Sequence, residues 1–350
     1  MRRKFSFTFF ALCVIFLSTL TMSACDNKKA PYVKVEGVML GTFLNVTAQT
    51  DCPTSMIYEK MMEIDAAAKA SMSIFDENSL LSRINAGQTD VMDEHILHCL
   101  ELAQRVSALS DGAYDVTVAP LVKAYGFAGG QRSEQIKLDS LLEFVGIGKL
   151  RIEGERLIKS DERVQIDVNS IAKGYVVDLA AQALEQMGIE NYLVDIGGEI
   201  RCRGLNSKGG AWRTGIESPV DGNDVPGAFI QQVLSLSDCA MATSGNYRRF
   251  YLDEHGRKVA HTIDPKTGES VVTDLLSATV VASTCAEADA YGTMFMAMGK
   301  QRAIELAHTL AKQGVMVYFI TAGHGAAFEV YYSQALFPVL KSTEGCIAIK

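Results

Sequence analysis

Near residue 190 the spacing of apolar residues changes from helical to strand-like, and that switch restricts the folds open to the chain. Before it, Met56, Ile57, Met61, Ile64 and Ala68 recur at helical spacing within 54–71. Asp93 opens a second helix running to about Leu109, with Ile96, Leu97, Leu100, Val106 and Leu109 as its stripe. Asn169 or Ser170 can cap a third, ended by Gly188. After the switch, short runs bounded by Gly, Asn and Asp predict strands over 191–203, 212–217, 229–236, 239–243, 250–252, 261–263, 278–282 and 315–320. Thr284 and Glu287 form a capping box for a long helix that Gly299 stops, and 301–312 is a further helix. Ahead of everything, 33–47 alternates as a strand pair around Gly41. Helices and strands in blocks favour α+β over a doubly wound sheet. With 350 residues at 48% apolar content, the chain can bury a large core.

The first residues bear on compartment. Arg2, Arg3 and Lys4 precede an apolar run from Phe5 to Leu20, then Thr21-Met22-Ser23-Ala24-Cys25, the layout of an export signal. Taken on to Ala24, the stretch has the ~20 residues needed to span a bilayer. Ser-Ala-Cys followed by Asp26-Asn27-Lys28-Lys29 resembles a bacterial lipoprotein signal, with Cys25 the lipidated first residue of the mature chain. Met22, where leucine is usual, leaves an uncleaved anchor open. Arg2-Arg3 hints at twin-arginine export, but so apolar a run argues against it. The expected organisation is a signal over 1–24, a lipid-anchored tether over 25–31 and one domain over 32–350. That domain faces the periplasm or the outside, held to a cell membrane.

Six cysteines remain beyond the signal, with no C-x-x-C and no metal-ligand spacing, which argues against zinc. An oxidising compartment permits one or two disulfides, but the sequence assigns no pairing, and buried free thiols fit as well. A net charge of −8 without a basic, aromatic-interleaved stripe argues against nucleic acid.

Three segments carry candidate chemistry. Asp289 and Thr293 lie one turn apart on one helix face, and oxygen-only ligands suit a hard cation such as Mg²⁺. Such pairs are common on solvated faces. Here the small and apolar neighbours Ala286, Ala288, Ala290, Tyr291, Phe295 and Met298 point to a partly buried acid that needs a partner. IDVNSIAKGYVVD over 166–178 places Asp167, a helix start and Lys173 together, an anion site or an ordinary helix cap. In HTIDPKTGE over 261–269, His261 adjoins a strong turn signature and is a proton carrier or a surface residue. Gly146-Ile147-Gly148 lacks the third glycine of a dinucleotide fingerprint, and Thr243-Ser244-Gly245 is no nucleophile elbow but a turn.

Seven stretches in order resemble the ApbE family, the FAD:protein FMN transferases. They are MSIFDENSLLSRIN, GAYDVTVAPL, IDVNSIAKGYVVD, YLVDIGGEIR, ATSGNYR, HTIDPKTGE and STCAEADA, within a likeness from about Gly37 to Ile320. The resemblance implies a single ApbE-like (T-fold-like) α+β domain, with mixed, largely antiparallel sheets flanked by helices. It also implies binding of FAD, Mg²⁺-dependent cleavage of its pyrophosphate, release of AMP and attachment of FMN to a threonine or serine. The acceptors it implies are exported subunits of Nqr- and Rnf-type redox pumps carrying Asp-x-x-(Ser/Thr)-Gly-Ala-(Ser/Thr).

Carried over by position, Asp289, Thr293 and Ser170, the last through its backbone carbonyl, become metal ligands. Ala113, Tyr114 and Asp115 hold the flavin, and Asp167 and Lys173 are further FAD contacts. His261 and Ile263 border the reacting end, with His261 the candidate catalytic residue, and Gly197 and Gly198 form a turn near the ligand. Leu40 stands where the family has methionine and Phe75 where tyrosine or tryptophan is frequent; both keep an apolar face for the flavin. Asp264-x-x-Thr267-Gly268-Glu269-Ser270 nearly matches the acceptor motif itself, but Asp-Pro-x-Thr-Gly is turn chemistry in its own right. A Mg²⁺-dependent FAD pyrophosphatase and a non-catalytic flavin-binding lipoprotein remain the alternatives.

Overall fold

The computed structural model describes residues 29–349 apart from 134, 221–224, 226, 248 and 324–326. The expected signal, the lipidated Cys25 and most of the tether therefore lie outside the described residues. The chain divides into two units, Met1–Ala30 and Pro31–Lys350. The second unit opens with hairpin β1 (Tyr32–Met39) and β2 (Thr42–Gln49), then helices α1 (Thr54–Met72), α2 (Leu80–Asn85) and α3 (Glu94–Leu109). Short elements come next: α4 (Ala119–Ala124), α5 (Leu138–Leu142) and the ribbon β3 (Leu150–Glu153) with β4 (Arg156–Lys159). Helix α6 (Asn169–Gln186) leads to hairpin β5 (Tyr192–Ile196) and β6 (Glu199–Arg203), ribbon β7 (Trp212–Glu217) and β8 (Ile230–Leu236), and β9 (Cys239–Gly245). The remainder comprises β10 (Phe250–Leu252), β11 (Lys258–Ala260), β12 (Leu275–Ala282), α7 (Cys285–Met298), α8 (Lys300–Ala311), β13 (Met316–Ala322), β14 (Phe328–Ser333) and β15 (Cys346–Ile349).

Nine strands form one sheet in the order β1-β2-β5-β6-β9-β12-β13-β14-β15. Every neighbouring pair is antiparallel except β14 with β15, which is parallel. This is the expected α+β architecture with a mixed, largely antiparallel sheet. Alternation along the strands divides the core in two. Ala240, Ala242, Val280, Val317 and Phe319 join the cluster under α1, α3, α6, α7 and α8. Met241, Val281, Tyr318 and Ile320 point the other way and pack under the β7–β8 ribbon with Trp212, Ile216 and Leu234. A small third cluster seats Ile263 against Leu121 and Val145.

Four expectations are corrected. The 191–203 run is not one strand: Gly197 and Gly198, at φ 65° and 98°, turn it into the hairpin β5–β6. Residues 261–263 form no strand, only the bridge Ile263↔Ser270. Neither Asn169 nor Ser170 caps α6; the carboxylate of Asp167, further upstream, accepts from Asn169 N at 2.8 Å, and the residue preceding the helix is Val168. The 243–245 segment is the end of β9 rather than a turn.

Candidate active site

The site is built where α6 and α7 cross. A methyl group on Gly174 would lie 2.6 Å from the Cys285 carbonyl carbon and 2.9 Å from Ala286 N, so only hydrogen permits this approach. Asp178, one turn further along α6, accepts from Cys285 N and Ala286 N, both at 2.9 Å, and so supplies the start of α7 with an acceptor and a negative charge. Arg201 of β6 pairs with the same carboxylate. Thr284 adds the expected cap, its hydroxyl accepting from Glu287 N at 3.3 Å.

This crossing buries Asp289. Gly174 N donates to its Oδ2 at 3.0 Å, and no other donor to this carboxylate is found among the described residues. Burial foremost, then the negative Glu199, push its carboxyl up to about 8, although Lys173 and Gly174 N work the other way. Lys173 Nζ lies 2.6 Å from Glu199 Oε2, and Glu199 is almost wholly buried. Burial acts against the Lys173 charge, but Glu199 and Asp289 together hold its ammonium above the ordinary lysine value. A turn beyond Asp289, half-exposed Thr293 places Oγ1 3.3 Å from Ser244 Oγ of β9.

Ser170 lies at the start of α6 with its hydroxyl 2.7 Å from the buried Tyr114 hydroxyl, which leaves its backbone carbonyl as the group for a ligand. Asp115 is committed as well: Oδ1 accepts from Thr117 N and Oγ1, and Oδ2 from Ile147 N at 2.6 Å. Its burial raises its pKa despite those bonds. Asp167 is enclosed by protein yet still reached by solvent, and burial raises its pKa while Asn169 N and Lys123 oppose the shift.

His261 Nδ1 faces the Arg249 carbonyl at 3.4 Å. A carbonyl only accepts, so the neutral ring carries its proton on Nδ1 and leaves Nε2 as the proton acceptor. Burial, with Arg249 and Lys173 nearby, lowers the His261 pKa and keeps the ring neutral. Lys266 Nζ contacts Asp111 Oδ2 at 3.2 Å, which fastens the 261–269 turn to the loop bearing Ala113.

Leu40 and Gly41 form a two-residue hairpin turn with φ 52° and 75°, held by Leu40 N donating to Asp65 Oδ1 at 2.8 Å. Gly197 abuts Thr42 so closely that a methyl group would stand 2.6 Å from Thr42 Cγ2, so these two turns lie side by side. Phe75 is 69% exposed and lines an open groove of about 800 Å³ with Asn78, Arg83, Lys123 and Gln165. Lys123 Nζ bonds Gln165 Oε1 at 3.1 Å and lends its charge to Asp167, so the groove adjoins the start of α6.

The structure thus gathers Lys173, Asp289 and Thr293 with Ser170 around the α6–α7 crossing. His261 lies within electrostatic reach of Lys173. Phe75 stands on the groove, while Ile263 is packed in the third cluster. Sequence reasoning passed over Glu199 and Asp178 and set Ser244 aside as part of a turn. Glu199 comes directly after the Gly-Gly turn, and that position was its only available signal. Among the described residues no three His, Cys, Asp or Glu side chains cluster as a metal cage. One buried carboxylate with hydroxyl and carbonyl oxygens instead matches the donor set of Mg²⁺, which keeps waters and substrate phosphates as its other ligands.

The ApbE family model matches residues 40–319, and the chain belongs to that family. It is 34% identical to the FAD:protein FMN transferase of Vibrio cholerae serotype O1, over 93% of this chain and 98% of that one. It is 36% identical to the one from Haemophilus influenzae, over 86% and 89%. The solved flavin transferase ApbE from Vibrio cholerae superposes with a TM-score of 0.78 at 32% identity, covering 89% of this chain and 99% of that one. The apo flavinyl transferase ApbE of Pseudomonas stutzeri gives 0.79 at 27%, covering 91% and 99%.

Proposed function

We propose that this chain transfers FMN from FAD to a threonine or serine hydroxyl of an exported acceptor protein and releases AMP. The observation that carries the reading is buried Asp289, set beside the Lys173–Glu199 pair with half-exposed Thr293 one turn on. The relatives named above bear the same activity in their names over nearly their whole length. Asp289, Thr293 and the Ser170 carbonyl would hold Mg²⁺, which would offset charge on the pyrophosphate. Leu40, Phe75, Asp167 and Ile263 would border the FAD. Because the Tyr114 and Asp115 side chains are committed elsewhere, the 113–115 stretch would meet the flavin through its backbone.

Lys173 supplies positive charge near the phosphates, and Glu199 fixes where that charge stands. The acceptor oxygen attacks the FMN-side phosphorus, its proton passes to His261 Nε2, and the bond to the AMP oxygen breaks with its electron pair leaving on AMP. Acceptors would carry Asp-x-x-(Ser/Thr)-Gly-Ala-(Ser/Thr), and the enzyme would work outside the cytoplasm, anchored to the membrane through Cys25.

Incubation of the full chain with FAD, Mg²⁺ and an acceptor fragment, read by intact mass, tests this. Acceptor heavier by one FMN, with AMP released, is expected. Free FMN with AMP and unmodified acceptor would make the chain a pyrophosphatase, and intact FAD would make it a flavin carrier.

A further inference from the structure

Cys202 is the fourth residue of β6 and Cys239 the first of β9, and they are register partners across that antiparallel ladder. Directly opposed residues in such a ladder have Cα atoms about 4.5–5.5 Å apart and side chains on one face. A disulfide needs about 4.4–6.8 Å. Both sulfurs face the same side of the sheet, since both residues belong to the cluster under the β7–β8 ribbon. The ends are held in register independently: Asp238 Oδ1 accepts from Gly204 N at 3.0 Å, and Ser237 Oγ donates to Gly204 O at 2.5 Å.

The remaining described cysteines have other company. Cys52 contacts Pro53 O and Met56 Sδ, Cys99 Met72 Sδ, Cys285 Met241 O, and Cys346 Glu344 O.

The position also falls on the shortest ladder of the sheet. β6 and β9 share three register pairs, the fewest of any neighbours in the nine-stranded sheet, and this ladder alone joins β1-β2-β5-β6 to β9-β12-β13-β14-β15. From the geometry we infer that Cys202 and Cys239 are a redox modification site: oxidised by a disulfide donor, they form a cross-strand bridge that staples the two halves of the sheet.

The order of attack is set by exposure. Cys202 is only 2% exposed and Cys239 is half-buried, so Cys239 meets the donor. A hydrogen bond from the Cys202 thiol lowers the Cys239 pKa, while the same contact and burial raise that of Cys202. The Cys239 thiolate displaces one thiolate from the donor to give a mixed disulfide. Cys202 then loses its proton, attacks Cys239 Sγ and expels the second donor thiolate. Two cysteine protons and two electrons leave, and one donor disulfide becomes two thiols.

The test uses detergent-solubilised full chain, treated with oxidised glutathione or dithiothreitol, then alkylated under denaturing conditions and digested without reduction. Expected in the oxidised sample are a peptide linked through Cys202 and Cys239 and alkylated cysteines at 52, 99, 285 and 346. Closing a loop of roughly 40 residues should raise Tm by on the order of 5–10 °C. Cys239→Ser, and separately Cys202→Ala, should abolish that redox-dependent difference. Both cysteines alkylated after oxidation, a link to any other cysteine, or a redox-dependent Tm shift that survives in Cys239→Ser would each overturn the inference.

Discussion

Gly174→Ala sets two effects against each other, and the structure decides the sign. In an open helix the substitution stabilises by about 0.5–1 kcal/mol, because alanine loses less backbone entropy than glycine. Here the added methyl would stand 2.6 Å from the Cys285 carbonyl carbon and 2.9 Å from Ala286 N, and closer still to the Cys285 oxygen. Ordinary contact needs about 3.4 Å or more, so α6 and α7 must part by nearly ~1 Å. Backbone cannot swing aside as a flexible side chain can, and overpacking of this kind costs about 1–3 kcal/mol or more. The net expectation is a loss of about 1–2 kcal/mol and a Tm several degrees lower. Activity should suffer more than stability. Gly174 N holds Asp289 Oδ2, and a ~1 Å misplacement near reacting groups costs about 10²-fold in rate. Thermal unfolding and FMN transfer measured on the same preparation give both numbers. A variant more stable than wild type with full activity would refute the close crossing and the site placed on it.

Asp178→Ala should destabilise by about 3–5 kcal/mol in chemical denaturation, since it strips two α7 amides of their acceptor and strands Arg201. Adding Arg201→Met should recover part of that loss, and no recovery would discount the stranded charge. Because the Asp289 carboxyl sits at about 8, above its unfolded value near 4, its contribution to stability is full below about pH 4 and lost as pH rises through 8. A cation must displace that proton, so Mg²⁺ binding by calorimetry should weaken about tenfold per unit as pH falls below 8; a flat profile from 8 to 6 would contradict it. His261→Asn should lower kcat/KM by about 10²–10⁴-fold. Wild type should show an acid limb below 6.5 that the variant lacks, because burial lowers the His261 pKa.

What the sequence made legible depends on which faces are buried. α1 and α3 bury one side, and most of their stripes were readable from spacing alone, although Met56 and Leu109 at their ends are exposed. α6 and α7 are buried nearly all round, so they offered little stripe, and α7 was located by its Thr284 cap and Gly299 stop. β3 and β4 are four-residue strands bearing exposed charges, and β15 is a short edge strand; none carries enough alternation to register. The β5–β6 hairpin escaped the strand pattern because apolar residues keep even positions across Gly197-Gly198: Val194 and Ile196 bury on one face of the sheet, Ile200 and Cys202 on the other. At the site, Asp289 and Thr293 share one helix, so spacing could suggest them. Glu199 meets Lys173 across 26 positions, and Asp178 meets the start of α7 across 107, encounters only the tertiary fold creates.

The narrow β6–β9 ladder and the site are parts of one construction. Lys173, Ser170 and Glu199 belong to α6 and β6, on the first half of the sheet, while Asp289, Thr293 and Ser244 belong to α7 and β9, on the second. The halves are tied there by the three strand pairs, the Asp289–Gly174 bond, the Asp178 carboxylate shared between α7 and Arg201, and the close packing of α6 on α7. The residues that would hold phosphate and metal thus lie across the joint where the ladder of the sheet is shortest. A fluctuation of that joint would misplace Asp289 relative to Lys173 while leaving the helices themselves folded. Substitutions along the joint should therefore reduce transfer out of proportion to their effect on global unfolding, whereas equal-sized cavities under α1 or α3 should reduce stability first.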